Sequence, residues 1–348
     1  MEAAPIAAGS RRYQQVSDLL GLYGIAPPTS IKCVDSSHGE TDIRRNYLID
    51  RKYVLRVNSA PVMTEARLAE LNTLIGRYRA FGLEAPQFLK ATDGRFLTTQ
   101  DGNICYLSEY LDRTIADDIA HRCRTSLIAQ RICLVARFAQ TFRGVGLIDT
   151  VSMYSMFDLS PYNQLEGIEE KQDNLNRLTA GLRRAGETAL AQRLETENRA
   201  LRRELLGTYQ ALPRCVFQGD ENFSNLCVDE NDRIVGLFDF NMAGTEVIAN
   251  YLANLAFQGN FFYTDEMMAQ CTADEIFRTV LDAYRQNTVL IRTHYIFTPQ
   301  ELHAYRLYSK IVMFSAYWNT CAFLEYLEQY PQTVTGLLWQ IAGAALSE

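Results

Sequence analysis

One stretch, residues 215–240, constrains this chain most. It reads Cys-Val-Phe-Gln-Gly-Asp-Glu-Asn-Phe-Ser-Asn-Leu-Cys-Val, then Asp-Glu-Asn-Asp, then Arg-Ile-Val-Gly-Leu-Phe-Asp-Phe. A short apolar run leads into a polar loop headed by Gly219 and Asp220. Residues 226–228 and 234–238 are apolar and flank turn-forming residues at 229–233, which predicts two strands joined as a hairpin. Asn225 precedes the first strand and Asp239 follows the second. The hairpin would therefore bring a neutral amide oxygen and an anionic carboxylate to its open end. Mg²⁺ prefers such hard oxygen donors and usually takes only one or two from carboxylates. Asp220, at the head of the loop, is placed to receive a proton from a hydroxyl. Any one of these residues would suit an ordinary surface turn; the ordered set in its strand and hairpin context carries the reading.

The set resembles the core of the aminoglycoside phosphotransferase and choline kinase superfamily, small-molecule phosphotransferases of the protein-kinase type. Its usual form is His-Gly-Asp-x-x-x-x-Asn followed by Ile-Asp-Phe. Gly219, Asp220, Asn225, Asp239 and Phe240 match, while Gln218 stands at the His position and Phe238 at the Ile position. The resemblance implies an α+β, protein-kinase-like two-lobe fold. Its antiparallel-sheet N-lobe would span residues 1–107, its hinge 108–112, and its mainly helical C-lobe 113–348. It further implies a catalytic loop at 218–225 with Asp220 as base, Asn225 and Asp239 as Mg²⁺ ligands, and ATP or GTP as phosphoryl donor. The implied acceptor is a hydroxyl on a small molecule: an aminoglycoside, an amino alcohol or something sugar-like. Gln218 and Arg56 motivate the alternative of a pseudokinase-type nucleotide-binding or scaffold protein, and some relatives phosphorylate protein side chains.

The first third of the chain agrees. A strand is expected at 31–34, then a polar loop at 36–41, then strands at 47–49 and 53–57 around a turn at 50–52. The loop, with Gly39, lies where such enzymes cover the phosphates with backbone N–H groups. Arg56 ends a Tyr-Val-Leu-Arg run comparable with the Val-Ala-Ile-Lys strand of kinases, and its guanidinium suits phosphate oxygens bidentately. A helix over 63–81 should carry the carboxylate that pairs with Arg56. Glu65 and Glu70 are both candidates, and Glu70 borders the apolar face. The strand at 104–107 runs into the expected hinge, where backbone groups of Glu109 and Leu111 would read the adenine edge.

The rest reads as mainly helical. Residues 126–142 are apolar and periodic, and leucines at 175–182 and 190–205 mark two helices broken near Gly186. Their interspersed arginines and glutamates fit a solvated face. Asn250 stands where the family carries a carboxylate, and the C-terminal aromatics, at helical spacing, suit a core.

At 348 residues and 47% apolar composition the chain can build two lobes. A net charge of −7 argues against a general nucleic-acid binder. No apolar run has transmembrane length, and the N-terminus has no basic-then-apolar signal segment. Eight scattered cysteines without a Cys-x-x-Cys pair suit reduced thiols, so a cytoplasmic setting is expected. The four histidines have no nucleophile-elbow serine near them and no zinc-ligand spacing, which argues against hydrolase and zinc chemistry.

Overall fold

The structure is a computed structural model that describes residues 4–37, 42–59, 63–164, 167–257, 263–344 and 346. Its strands, in chain order, are β1 (Ala4–Pro5), β2 (Ile31–Asp35), β3 (Arg44–Ile49), β4 (Tyr53–Asn58), β5 (Phe88–Leu89) and β6 (Leu97–Gln100). There follow β7 (Asn103–Glu109), β8 (Thr114–Ile115), β9 (Arg214–Phe217), β10 (Leu226–Val228), β11 (Ile234–Leu237) and β12 (Gly244–Val247). The chain divides into two compact units, Met1–Ala120 with Phe223–Phe240, and His121–Asn222 with Asn241–Glu348.

In the first unit, one sheet runs in the order β1-β2-β3-β4-β7-β5, with β6 also on β7. Every pairing in it is antiparallel. Strand alternation sorts its faces. Leu55 and Val57 of β4 are buried with Ile31, Cys33, Tyr47, Ile49 and Leu107 against α1 (Arg11–Leu22), which contributes Val16, Leu19 and Leu20. Arg56, between Leu55 and Val57, points to the opposite face and lies in register with Asn46 and Tyr106. The β3–β4 turn is tight: Asp50 and Arg51 both have positive φ (50° and 51°). The Asp50 carboxylate steadies that turn by accepting from the Thr29 and Ser30 amides. The helix α2 (Glu65–Ala80) starts at Thr64, whose hydroxyl accepts from the Arg67 amide, and buries Leu68, Leu71, Leu74, Ile75 and Tyr78. A second, three-stranded sheet runs β11-β10-β8. Glu84 lies along it, donating to Val235 O and accepting from Leu237 N.

α3 (Ala116–Thr141) begins ten residues before the predicted start at 126. Its first stretch, Asp-Asp-Ile-Ala-His-Arg-Cys-Arg-Thr, is too polar to show helical periodicity, and helical geometry breaks at Cys123 (φ −138°, ψ 24°). Beyond it the second unit is largely helical: α4 (Glu170–Arg184), α5 (Thr188–Leu206), α6 (Ile248–Phe257), α7 (Asp265–Gln270), α8 (Ala273–His294), α9 (Pro299–Ser315), α10 (Tyr317–Gln329) and α11 (Pro331–Gly343). Gly186, with φ 86°, separates α4 from α5 as the leucine pattern indicated. Of the C-terminal aromatics expected in the core, Tyr305, Tyr308, Phe314, Phe323 and Tyr326 are buried, whereas Tyr317, Trp318 and Trp339 are exposed. The antiparallel sheet of the first unit and the helical remainder make this an α+β chain, as expected. Among the described residues no helix is long and apolar enough to cross a membrane.

Strands β9 and β12 pair antiparallel in the second unit, Phe217 opposite Gly244 and Arg214 opposite Val247. The segment at 148–152 lies along β12: Thr245 N donates to Thr150 O (2.7 Å) and Ser152 N to Thr245 O (3.1 Å). A Cβ on Gly244 would sit 2.7 Å from Ser152 N and 2.8 Å from Val151 C, so only glycine fits. We expect Gly244→Ala to lose about 1–3 kcal/mol of stability in urea unfolding through this overpacking. Unchanged stability would contradict the close approach.

Candidate active site

The hairpin in the first unit forms as the sequence indicated. A single 3₁₀ turn, Phe223–Asn225, leads into β10, and Leu226 pairs with Leu237. Phe238 N then donates to Asn225 O (3.0 Å), extending the ladder one step past the strands. Asn225 therefore lies opposite Phe238, the neighbour of Asp239, at the open end of the hairpin. Asp239 adopts φ +59°, a left-handed conformation that costs energy for a non-glycine residue and concentrates at functional positions. The next residue, Phe240, is buried with its ring edge against Tyr78 of α2 (5.7 Å between centroids), so the strained residue has a fixed neighbour. An amide oxygen and a carboxylate are hard donors and fit a hard cation. Among the described residues no three His, Cys, Asp or Glu side chains converge to hold a metal alone. An ion at the hairpin end would need further oxygens from a ligand.

The turn carrying Asp220 belongs to the second unit. Gln218 follows β9 and is fully buried, and its Oε1 accepts from the Asp220 N–H (2.6 Å). Only the oxygen of an amide can accept, so this bond also fixes the Gln218 orientation. Gly219 has φ +91°, and a Cβ there would lie 2.2 Å from Met242 O. Conformation and space both exclude any other residue. The Asp220 carboxylate is half-buried, and its Oδ1 accepts from Asn222 Nδ2 (2.7 Å). Glu221 is buried; its carboxylate accepts from the Tyr251 hydroxyl and its carbonyl from Arg131 Nη1 (3.1 Å). Burial pushes the Glu221 carboxyl up to about 7.

A second buried polar group lies under β12. Burial pushes Glu246 up to about 7 and draws Lys171 down, so both move toward neutrality. Lys171 Nζ and Asn250 Nδ2 both donate to Tyr154 O (2.8 and 2.7 Å). Asn250 thus ties α6 to the 148–164 segment.

The residues expected to meet the nucleotide lie in the first unit, apart from Gly39, which is outside the described residues. Arg56 Nη1 donates to Ser108 Oγ (3.1 Å), and the guanidinium carbon lies 6.0 Å from the Tyr106 ring centroid. The expected partner carboxylate is not beside it: among the described residues Arg56 forms no ion pair with Glu65 or Glu70. Glu65 accepts instead from the amides of Phe96 and Leu97 (2.9 and 2.8 Å), fixing the start of β6 to α2. Glu70 is half-buried on α2. The Glu109 carboxylate receives Arg79 and the Gln87 amide (3.0 Å), and its own N–H donates to Gln87 O (3.0 Å). Tyr110 N donates to Lys52 O (2.8 Å), whereas the Leu111 N–H is engaged by no backbone carbonyl of the described residues. Sequence reasoning missed Arg131, Glu221 and Tyr251. Only Glu221 carried a signal, its place directly after Asp220.

The antiparallel sheet of the first unit and the helical second unit are those of a protein-kinase-like fold. The profile of the phosphotransferase enzyme family matches residues 39–274, and the chain belongs to that family. No curated protein matches the chain. Among solved structures, amicoumacin kinase hAmiN in complex with AMP-PNP, Ca²⁺ and Ami is similar over 95% of this chain and 93% of its own, at 11% identity and a TM-score of 0.52. An aminoglycoside phosphotransferase from Alicyclobacillus acidocaldarius covers 89% of this chain and 91% of its own, at 12% identity and a TM-score of 0.48. A thermostable mutant of an aminoglycoside phosphotransferase, in a ternary complex with ADP and hygromycin B, covers 96% of this chain and 100% of its own at 13% identity and a TM-score of 0.47.

The buried Glu221 gives a pH prediction. Its carboxyl is raised from 4.5 to about 7 on folding, so the folded state keeps the proton longer than the unfolded state does. The stability this contributes is full below about 4.5 and is lost as pH rises toward 7. One retained proton corresponds to about 1.4 kcal/mol per pH unit inside that window. Glu221→Gln removes the titration, so its unfolding free energy should fall less steeply than wild type between pH 4.5 and 7. Equal slopes would show that Glu221 does not titrate abnormally.

Proposed function

We propose that this chain is a cytoplasmic, Mg²⁺-assisted phosphotransferase that moves the γ-phosphoryl group of ATP or GTP to a hydroxyl of a small molecule. The acceptor is of aminoglycoside, amino-alcohol or sugar-like kind. The observation that carries this reading is the ordered set Asp220, Asn225 and Asp239, with Asp220 on a turn that admits only Gly219 before it and Asp239 in a strained conformation at the hairpin end. The similar amicoumacin kinase structure holds AMP-PNP, Ca²⁺ and Ami together, which supports a nucleotide donor and a small acceptor.

Asn225 and Asp239 would hold the metal ion, which supplies positive charge against the phosphates. Asp220 receives the proton of the acceptor hydroxyl as its oxygen bonds to the γ-phosphorus. The bond from that phosphorus to the β–γ bridging oxygen breaks, and the nucleoside diphosphate leaves. Arg56 binds phosphate oxygens, and Gly39 lies in the loop that covers the phosphates. Backbone groups of Glu109 and Leu111, within a hinge at 108–112, read the adenine edge. Gln218 supports an active enzyme over a pseudokinase. Its amide oxygen holds the Asp220 N–H, so the turn is braced without the family histidine.

Two variants test the reading. Asp239→Ala should weaken Mg·ATP binding at least tenfold in titration calorimetry; unchanged affinity would remove the metal assignment. Asp220→Asn keeps shape and loses the proton acceptor. In a panel of aminoglycosides, amino alcohols, sugars and nucleosides it should bind nucleotide as wild type does and turn over about 10²-fold more slowly or worse. Equal ATP consumption by both proteins would sink the assignment of Asp220, and the absence of transfer by wild type across the panel would favour a nucleotide-binding protein.

A further inference from the structure

Tyr251 lies on α6, outside the motif, and touches the catalytic turn at both ends. Its ring stacks on Phe217, the last residue of β9, with centroids 3.8 Å apart and planes 1° from parallel. Its hydroxyl donates to the carboxylate of Glu221, the residue after Asp220. One rigid side chain thus spans the three-residue turn of Gln218, Gly219 and Asp220. The assembly is sealed: Phe217 is 0%, Tyr251 3% and Glu221 6% exposed. The edge of Tyr154 packs on the Tyr251 ring (5.7 Å), and Arg131, itself buried, holds the Glu221 carbonyl from α3.

A carboxyl buried this deeply opposes folding unless it is hydrogen-bonded, and neither catalysis nor metal binding uses Glu221. An apolar residue would pack more cheaply at that position if packing were its only role. What the carboxylate adds is direction. It ties the Glu221 side chain to Tyr251 on the far side of Asp220, where Arg131 holds the Glu221 carbonyl, while Gln218 fixes the Asp220 N–H from the near side.

We infer that Tyr251 is a positioning residue for the reaction, clamping Phe217 and Glu221 so that Asp220 faces the acceptor hydroxyl. The inference rests on the phosphotransferase reading for its kinetic consequence, but not for the clamp itself. Misplacing a catalytic group by a fraction of an ångström is enough to slow chemistry substantially.

The test uses the full chain and Tyr251→Phe, which keeps the stack and removes only the hydroxyl. Hydrogen exchange is followed across 217–222, without substrate, beside steady-state kinetics with Mg·ATP and whichever acceptor wild type uses. We expect exchange in that segment to quicken at least severalfold while α8 and α9 remain as protected as in wild type. kcat should fall about tenfold or more, with the KM for Mg·ATP within about twofold. Glu221→Gln, which retains an oxygen acceptor for the Tyr251 hydroxyl, should keep more of kcat than Glu221→Leu. Unchanged exchange in 217–222 and unchanged kcat in Tyr251→Phe would overturn the clamp, as would equal losses in the two Glu221 variants. If Tyr251→Phe does not fold, the two Glu221 variants decide by the same readouts. Should wild type transfer phosphate to no acceptor, the phosphotransferase reading fails while hydrogen exchange still decides the clamp.

Discussion

The antiparallel pairing of β9 with β12 is the constraint on which the Asp220 turn depends. It brings residue 217 opposite residue 244 and so closes the 26 intervening residues, 218–243, into a loop with a fixed stem. At the base of that loop Gly219 meets Met242 O so closely that no side chain can intervene. The chain then leaves the second unit at Asn222, contributes the β10–β11 hairpin to the first unit, and returns at Asn241. Within one such excursion the sequence sets out the aspartate turn and both oxygen donors. A long loop costs little more to close than a short one, because closure entropy grows only logarithmically with length. The stem, the Asn225–Phe238 hydrogen bond and the Gln218–Asp220 hydrogen bond then limit what the loop can do.

The polar interior around this stem is expensive. Glu221, Glu246 and Lys171 are all buried, and burial drives each toward its neutral form. Well-packed apolar residues would stabilise the fold as well or better. Their hydrogen bonds are specific: Tyr251 of α6 donates to Glu221, Lys171 of α4 donates to Tyr154 O, and Glu246 accepts from the adjacent Val247 N. Gln218 and Asn250 hydrogen-bond there as amides, which do not titrate. The brace is correspondingly less sensitive to pH at those two points.

Much of the arrangement was legible in the sequence because it is written in local patterns. The hairpin shows as two apolar runs around 229–233, and the α2 face as Leu68, Leu71, Leu74 and Ile75. Arg56 shows as a lone cation between buried Leu55 and Val57. Other features are encoded non-locally. β12 reads Gly-Thr-Glu-Val, too short and too polar to suggest a strand, and forms because β9 and the 148–152 segment flank it. Glu65 was a candidate partner for Arg56 by position, but the β6 amides claim it, and β6 itself has no distinctive pattern. Tyr251 lies thirty residues beyond Glu221, so nothing in either neighbourhood announces their contact.

The metal site proposed for Asn225 and Asp239 at the hairpin end would be completed by nucleotide phosphates. Its most direct test is a crystal structure of the chain soaked with Mg²⁺ and AMP-PNP. The account predicts one octahedral ion with Asn225 Oδ1 and an Asp239 carboxylate oxygen each at about 2.0–2.1 Å, its remaining ligands being phosphate oxygens and water. An ion bound to the phosphates with neither residue in its coordination sphere would contradict it.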